Sequence, residues 1–172
     1  TVNFDAAQLA TVDDTGMPNI RTVLVRERGK DGFVFYTNLN SKKGQELVAN
    51  KKAALLFYWK SLSRQIRIRG TVSQVSDPEA DAYFSTRPQM SCIGAHVSRQ
   101  SEPLADRSHL EKMITRFKEY NIGKTITRPA HWSGFRIMPL EIEFWEEGEH
   151  RLHDRLLFEK KSTGWYRTLL YP

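Results

Sequence analysis

The chain has 172 residues, with 26 Lys and Arg against 20 Asp and Glu, for a formal net charge of +6. That length predicts one domain with a core that needs no covalent staple, and the single cysteine, Cys92, excludes a disulfide framework and every multi-cysteine zinc site. A content of 40% hydrophobic and 11% aromatic residues excludes disorder, and no apolar run reaches membrane-span length, so a basic cytoplasmic protein is expected.

Leu9 to Val12 reads as a brief strand, closed by the turn signal Asp13-Asp14-Thr15-Gly16 with Pro18. A second strand spans Asn19 to Arg28, and Gly32 leads into a third at Phe33–Thr37. Ser41 is a good helix N-cap with Gln45 and Glu46 near the reciprocal capping position, which predicts a short helix ending near Asn50. Ala53 to Trp59 is a continuous apolar run, expected to be a strand buried on both faces. Alternation at Gln65-Ile66-Arg67-Ile68-Arg69 puts the two isoleucines on one face of a strand and the polar residues on the other. Asp77 and Pro78 read as N-cap and first residue of a helix through about Arg87. Leu110, Met113, Ile114 and Phe117 follow the i, i+3, i+4, i+7 rule and predict another helix from about Asp106 to Tyr120. Beyond Pro129 lie four strand-like runs, at Gly134–Met138, Glu141–Trp145, Leu152–Phe158 and Trp165–Tyr171. Together these elements predict one α+β domain over residues 1–172, its short strands forming a closed or nearly closed barrel.

Bulk positive charge suits nucleic acid, an acidic membrane or a phosphorylated small molecule equally, so placement has to decide. No dinucleotide glycine fingerprint, P-loop or G-x-S-x-G elbow occurs. His150 and His153 are three apart, but their surroundings read as strand and no metal site is assigned. Most basic residues on such a surface are solvated or lie along apolar neighbours. Lys42-Lys43 behind Ser41 differs, because it joins charge to the free N–H groups of a helix N-terminus, a pairing suited to phosphate. The segment Gly148-Glu149-His150-Arg151-Leu152-His153-Asp154-Arg155 is the densest polar cluster. On an extended backbone it sets Arg151, His153 and Arg155 on one face, suited to a planar anion.

A family resemblance enters at these residues. Arg21-Thr22-Val23-Leu24-Val25-Arg26, Phe35-Tyr36-Thr37-Asn38, Ser41-Lys42-Lys43-Gly44, Tyr83-Phe84-Ser85-Thr86-Arg87-Pro88, Ser98-Arg99-Gln100-Ser101, Glu143-Phe144-Trp145 and Arg151-Leu152-His153-Asp154-Arg155 occur in one order. In that order the chain resembles the pyridoxamine/pyridoxine 5'-phosphate oxidases from Leu9 to Pro172. The resemblance implies a mostly antiparallel split β-barrel with a few flanking helices, working as a homodimer with FMN at the interface. It implies Arg21, Lys42 and Lys43 as flavin-phosphate ligands, and Thr22, Val23, Leu24, Tyr36 and Thr37 as the wall along the flavin. Gln65, Gln100, Ser101, Trp145 and Arg155 resemble further flavin contacts, some supplied by the partner subunit. Arg26, Tyr83, Arg87 and Ser91 resemble the substrate-phosphate ligands, while Arg151, Leu152 and His153 resemble the residues facing the pyridine ring. Arg151 and His153 carry the catalytic role, as orienting and electrostatic groups.

The reaction so implied oxidises pyridoxamine or pyridoxine 5'-phosphate to pyridoxal 5'-phosphate, with molecular oxygen as acceptor and hydrogen peroxide released. The sequence departs from the family pattern in three places. Arg26 stands where lysine is usual, Leu169-Leu170 where an arginine is common, and Asn3-Phe4-Asp5-Ala6-Ala7 replaces an acidic-Pro-x-Ala-Met pattern. The sequence also begins later than full-length members, which leads us to expect no N-terminal helix over the substrate. Other readings are a flavin oxidase of phenazine-pathway type on the same scaffold, a non-catalytic flavin or haem carrier, and a basic barrel binding nucleic acid. The last would interleave aromatics with its basic strand, and Gln65–Arg69 has none, so neither nucleic acid nor membrane is expected as a partner.

Overall fold

Short-range hydrogen bonds start the architecture. In the computed structural model, which describes residues 4–172, Asp13 Oδ1 accepts from the N–H groups of Thr15 (3.0 Å) and Met17 (2.9 Å). With Gly16 at φ +89°, this Asx turn reverses the chain between β1 (Ala6–Val12) and β2 (Pro18–Gly29). A two-residue turn then leads to β3 (Gly32–Asn38), where Gly32 has φ +100° and a Cβ would strike the Ile137 carbonyl oxygen. The β2–β3 register shifts between Val25 and Glu27, leaving Arg26 in a bulge. Helix α1 (Lys42–Asn50) follows, then β4 (Lys52–Trp59) and β5 (Arg64–Gln74), joined through a single helical turn at Lys60–Leu62. The chain continues through α2 (Asp77–Ser85), α3 (Gln89–Val97) and α4 (Arg107–Tyr120) to β6 (Trp132–Glu146), β7 (Asp154–Lys161) and β8 (Gly164–Leu170).

The backbone groups into two compact units. One comprises the chain up to Phe35 together with Glu46–Ser73 and Phe135–Pro172. Its strands follow the order β3-β2-β1-β4-β5-β6-β7-β8, and a further β3–β6 pairing closes six of them into an antiparallel barrel. Leu9, Val25, Phe35, Leu55, Ile68, Phe135 and Ile137 fill its interior, and each such side chain contributes roughly 1.5–3 kcal/mol by leaving water. On β5 the alternation is as expected, with Ile68 buried and Arg67 and Arg69 exposed. On β4 the expectation of two buried faces is corrected. Leu55 and Phe57 point inward while Tyr58 is 52% exposed, because a barrel strand has only one inner face.

The other unit comprises Tyr36–Gln45 and Gln74–Gly134. Its core is Phe84, Cys92 and Trp132, with Tyr36, Tyr83, Ala95 and Ile126 packed against it. Three expectations change here. Ser76, not Asp77, caps α2 by accepting from Glu79 N, which frees the Asp77 carboxylate to pair with Arg128 Nη2 at 2.8 Å. That helix stops at Ser85, since the N–H groups of Thr86 and Arg87 fold back to Tyr83 O and Phe84 O ahead of Pro88. Beyond Pro88 the chain forms α3, unforeseen because its Ser, Cys and Gly are weak helix formers. The predicted α4 stands, capped by Asp106 accepting from His109 N at 3.0 Å.

The two runs Gly134–Met138 and Glu141–Trp145 are one strand, β6, which passes through Pro139 without a break. Leu152 and His153 precede β7 rather than lying in it. Among the described residues no helix is long and apolar enough to cross a membrane.

Candidate functional site

The N-terminus of α1 carries a dense polar group within the helical unit. Ser41 Oγ accepts from Gly44 N (3.3 Å) and donates to Asn38 O (2.6 Å), so the expected cap forms and pins the preceding loop. Gln45 and Glu46 do not complete a capping box: Gln45 Nε2 donates to Asn40 O, and Glu46 turns to other partners. Lys43 Nζ donates to Gln100 Oε1 (2.7 Å), Thr37 Oγ1 (3.2 Å) and Ser41 Oγ (3.3 Å). Ser101, held at φ +77°, accepts from the Lys42 N–H at 3.2 Å. Thr37, Lys42, Lys43, Gln100 and Ser101 therefore meet, though up to 63 residues separate bonded partners. An ammonium held by neutral oxygens beside hydroxyls and a positive helix end is a donor set that fits a phosphate.

In the same unit the Tyr36 and Tyr83 rings stack with centroids 3.9 Å apart and planes 6° from parallel, and Tyr36 stacks on Trp132 at 5.4 Å. Gly134 makes this possible, since a Cβ there would lie 2.8 Å from the Tyr36 ring. The Arg87 guanidinium lies over Trp132, 4.6 Å from its centroid, and 5.3 Å from that of Phe84. Tyr36, Tyr83 and Arg87 thus share one aromatic wall. Sequence reading missed Trp132, whose only signal is its place at the entrance to a strand. Ser91 lies in the first turn of α3, its N–H bonded to Pro88 O at 2.8 Å.

In the barrel unit, Arg21 lies on the inward row of β2 with Asn19, Val23 and Val25, while Thr22 and Leu24 face outward. Its guanidinium is tied to Leu9 O (3.2 Å), Thr11 Oγ1 and Glu46 Oε2 (3.1 Å). Arg26 projects from the bulge and pairs with Asp5 at 3.7 Å; bulges commonly re-aim a side chain in this way.

A cavity of about 530 Å³ in the same unit is lined by Gln65, Trp145 and Arg155, with Trp59, Phe144 and Leu169 among its apolar walls. Buried Glu143 accepts from Arg155 Nε (2.9 Å) and pairs with Arg67 Nη2 (3.3 Å), which pushes the Arg155 pKa up through the hydrogen bond to that carboxylate. The shared strand face expected for Arg151, His153 and Arg155 is overturned. Glu149–Arg151 form a tight turn in which His150 and Arg151 have φ of +55° and +66°, so period two does not apply. Gly148 is required there, as a Cβ would fall on the Leu152 carbonyl. Arg151 and Leu152 are exposed on this turn. His153 packs on the Trp145 ring at 4.7 Å and its Nδ1 accepts from Gly148 N at 3.3 Å, leaving Nε2 to carry the proton of the neutral ring.

Two family models match the chain. Residues 3–121 match one described as pyridoxamine 5'-phosphate oxidase, and residues 132–172 match the pyridoxine 5'-phosphate oxidase C-terminal dimerisation region. The chain belongs to this family. A pyridoxine/pyridoxamine 5'-phosphate oxidase of Allorhizobium ampelinum is 54% identical over 171 residues, spanning 98% of this chain and 82% of the relative. PhzG from Burkholderia lata 383, solved in complex with tetrahydrophenazine-1-carboxylic acid, superposes with TM-score 0.94 at 30% identity, covering 99% of this chain and 84% of that one. A pyridoxamine 5'-phosphate oxidase-related, FMN binding protein of Nostoc punctiforme shares the fold, with TM-score 0.81 at 18% identity over 99% of this chain and 90% of its own. The split barrel expected from the sequence is therefore borne out. Glu46 and Glu143 bind Arg21 and Arg155, to which the resemblance to the pyridoxamine 5'-phosphate oxidase family gives roles, while neither carboxylate was read as a site residue. Glu46 is a lone acid among basic and apolar neighbours, whereas Glu143 stands among other acids and carries no distinguishing signal.

Proposed function

We propose that the chain is an FMN-dependent oxidase that converts pyridoxamine or pyridoxine 5'-phosphate to pyridoxal 5'-phosphate, with oxygen as acceptor and hydrogen peroxide as product. It acts as a homodimer in the cytoplasm, residues 1–172 serving as one FMN-binding domain. The observation that carries this reading is the donor set of Lys43, Thr37, Gln100, Ser101 and the α1 N-terminus, in a chain 54% identical to named oxidases of these substrates. Lys43 and the Lys42 N–H hold the flavin phosphate, with Arg21 as a further cation; Thr22, Val23, Leu24 and Tyr36 line the flavin.

FMN, when bound, supplies the two-electron chemistry, accepting hydride from the substrate carbon and passing both electrons to oxygen. The protein's own residues bind and orient. Arg87 and Arg26, with Tyr83 and Ser91, hold the substrate phosphate, an anchor remote from the reacting carbon that orients the pyridine ring. Arg151 and His153 face that ring, where the Nε2–H of a neutral His153 can donate to a ring substituent. Gln65, Trp145 and Arg155 complete the flavin contacts, some of them toward the partner's flavin. The family match to a dimerisation region over residues 132–172 supports the homodimer.

A second reading, a flavin oxidase acting on a phenazine precursor, is favoured by the likeness to PhzG. One assay separates the two. The purified protein is loaded with FMN, its visible spectrum recorded, and pyridoxamine 5'-phosphate or pyridoxine 5'-phosphate added in air. Flavin absorbance with aldehyde and peroxide produced is expected. A protein that takes up no flavin overturns both readings, while flavin uptake without turnover of either B6 substrate leaves the second.

A further inference from the structure

We propose that Glu46 is a positioning residue that fixes the Arg21 guanidinium for the flavin phosphate, an inference that rests on the function proposed above. An arginine on the inward row of a barrel strand is costly to bury without a partner. Glu46, 5% exposed, meets it there from α1. Its carboxylate accepts from the Thr11 hydroxyl, from Asn19 Nδ2 at 3.0 Å and from Arg21 Nη2 at 3.1 Å. Thr11 also accepts from Arg21 Nη1, which in addition donates to Leu9 O at 3.2 Å. The guanidinium is therefore held by β1 and α1 together.

Three of its five N–H groups are committed in this way, so two remain for an anion. Burial pushes the Glu46 pKa up, but the Thr11 and Asn19 hydrogen bonds and the Arg21 charge more than offset this. The carboxyl is held below its ordinary value and stays ionised near neutrality. A buried ion pair of this kind is a poor stabilising device, since packed apolar residues of the same volume serve as well or better. Its value is a planar cation fixed in orientation, which loses little freedom when it takes an oxyanion. On the same helix, one turn nearer the N-terminus, stands Lys43. The segment Ser41–Glu46 thus carries both a phosphate-binding lysine and the anchor of an arginine.

Glu46 also neutralises Arg21, which by itself would weaken anion binding, so the sign of the effect is the test. Flavin-free protein is titrated with FMN and with riboflavin, which lacks the phosphate, and binding is followed by quenching of flavin fluorescence. Wild type is expected to prefer FMN. Glu46→Gln is expected to lower FMN affinity about tenfold and leave riboflavin affinity unchanged. Thr11→Val, which removes one clamp but keeps the charge, should show a smaller loss confined to FMN. Combining Glu46→Gln with Arg21→Ala should weaken FMN no further than Arg21→Ala alone. Equal losses for both flavins, unchanged FMN affinity or tighter FMN binding would each overturn the inference while sparing the proposed function. A wild type that binds neither flavin would overturn both.

Discussion

Arg155 Nε on β7 donates to Glu143 Oε1 on β6 at 2.9 Å, and the same carboxylate meets Arg67 Nη2 at 3.3 Å. Arg155 also reaches the Tyr171 carbonyl at 3.0 Å, so one buried acid organises two arginines and, through one of them, the C-terminal residues. Glu143→Gln keeps the shape but leaves both guanidiniums without a counter-charge. Because both arginines can reach solvent, the cost should be at the lower end for a broken ion pair, about 1–3 kcal/mol. Urea unfolding of the variant against wild type checks this, and a midpoint shift with unchanged m-value is the expected form.

Lys43 and Gln100 are 2.7 Å apart across 57 residues of sequence. Lys43→Ala removes the charge from the α1 N-terminal group while the Ser41 cap remains. The variant should fold with nearly wild-type stability and release FMN on dialysis. An affinity loss of roughly tenfold or more is expected for a charge-assisted phosphate contact. Retention of FMN equal to wild type would remove Lys43 from the phosphate site.

Arg87 lies over Trp132 rather than in the α1 group, and its deletion should separate from that of Lys43. Arg87→Ala is expected to raise KM for pyridoxamine 5'-phosphate about tenfold or more, with FMN content unchanged. Loss of the cation–π contact should also lower stability by about 0.5–1 kcal/mol. Steady-state kinetics at saturating oxygen distinguish this from a loss in kcat.

Glu46 sets a pH dependence of definite sign. Its folded pKa lies below the unfolded value near 4.5, so the unfolded state binds more protons across that interval. The associated stability is fully present above the unfolded value and is lost as pH falls through the folded one. Asp106, whose carboxyl is held down by hydrogen bonds from Ser108 and the His109 N–H, acts in the same direction. Denaturant unfolding of wild type and Glu46→Gln between pH 3 and 7 should show the difference in stability shrinking toward the acid end.

Several structural causes that are local were legible in the sequence alone. Asp13 with Gly16 specifies its turn through hydrogen bonds spanning four residues. The Ile68 and Arg67 alternation follows from the pleat, and the apolar row of α4 follows from 3.6 residues per turn. Ser41 was legible as a cap for the same reason, and Lys42-Lys43 as a candidate anion site because the cap and the charges are neighbours. What the tertiary structure decided involves partners distant in the chain or backbone that breaks a period. Gln100 meets Lys43, and Ser101 meets the Lys42 N–H, only through the folding of the chain between them. Asp77 yielded its capping role to Ser76, leaving its carboxylate for Arg128, 51 residues away. Positive φ at His150 and Arg151 took Arg151 off the face predicted for it, a conformation that residues other than glycine do not advertise. The buried acids Glu46 and Glu143 show the limit most plainly. Their chemistry is visible in one letter each, but the arginines that give it purpose lie on other elements, and only close packing brings opposite charges together out of water.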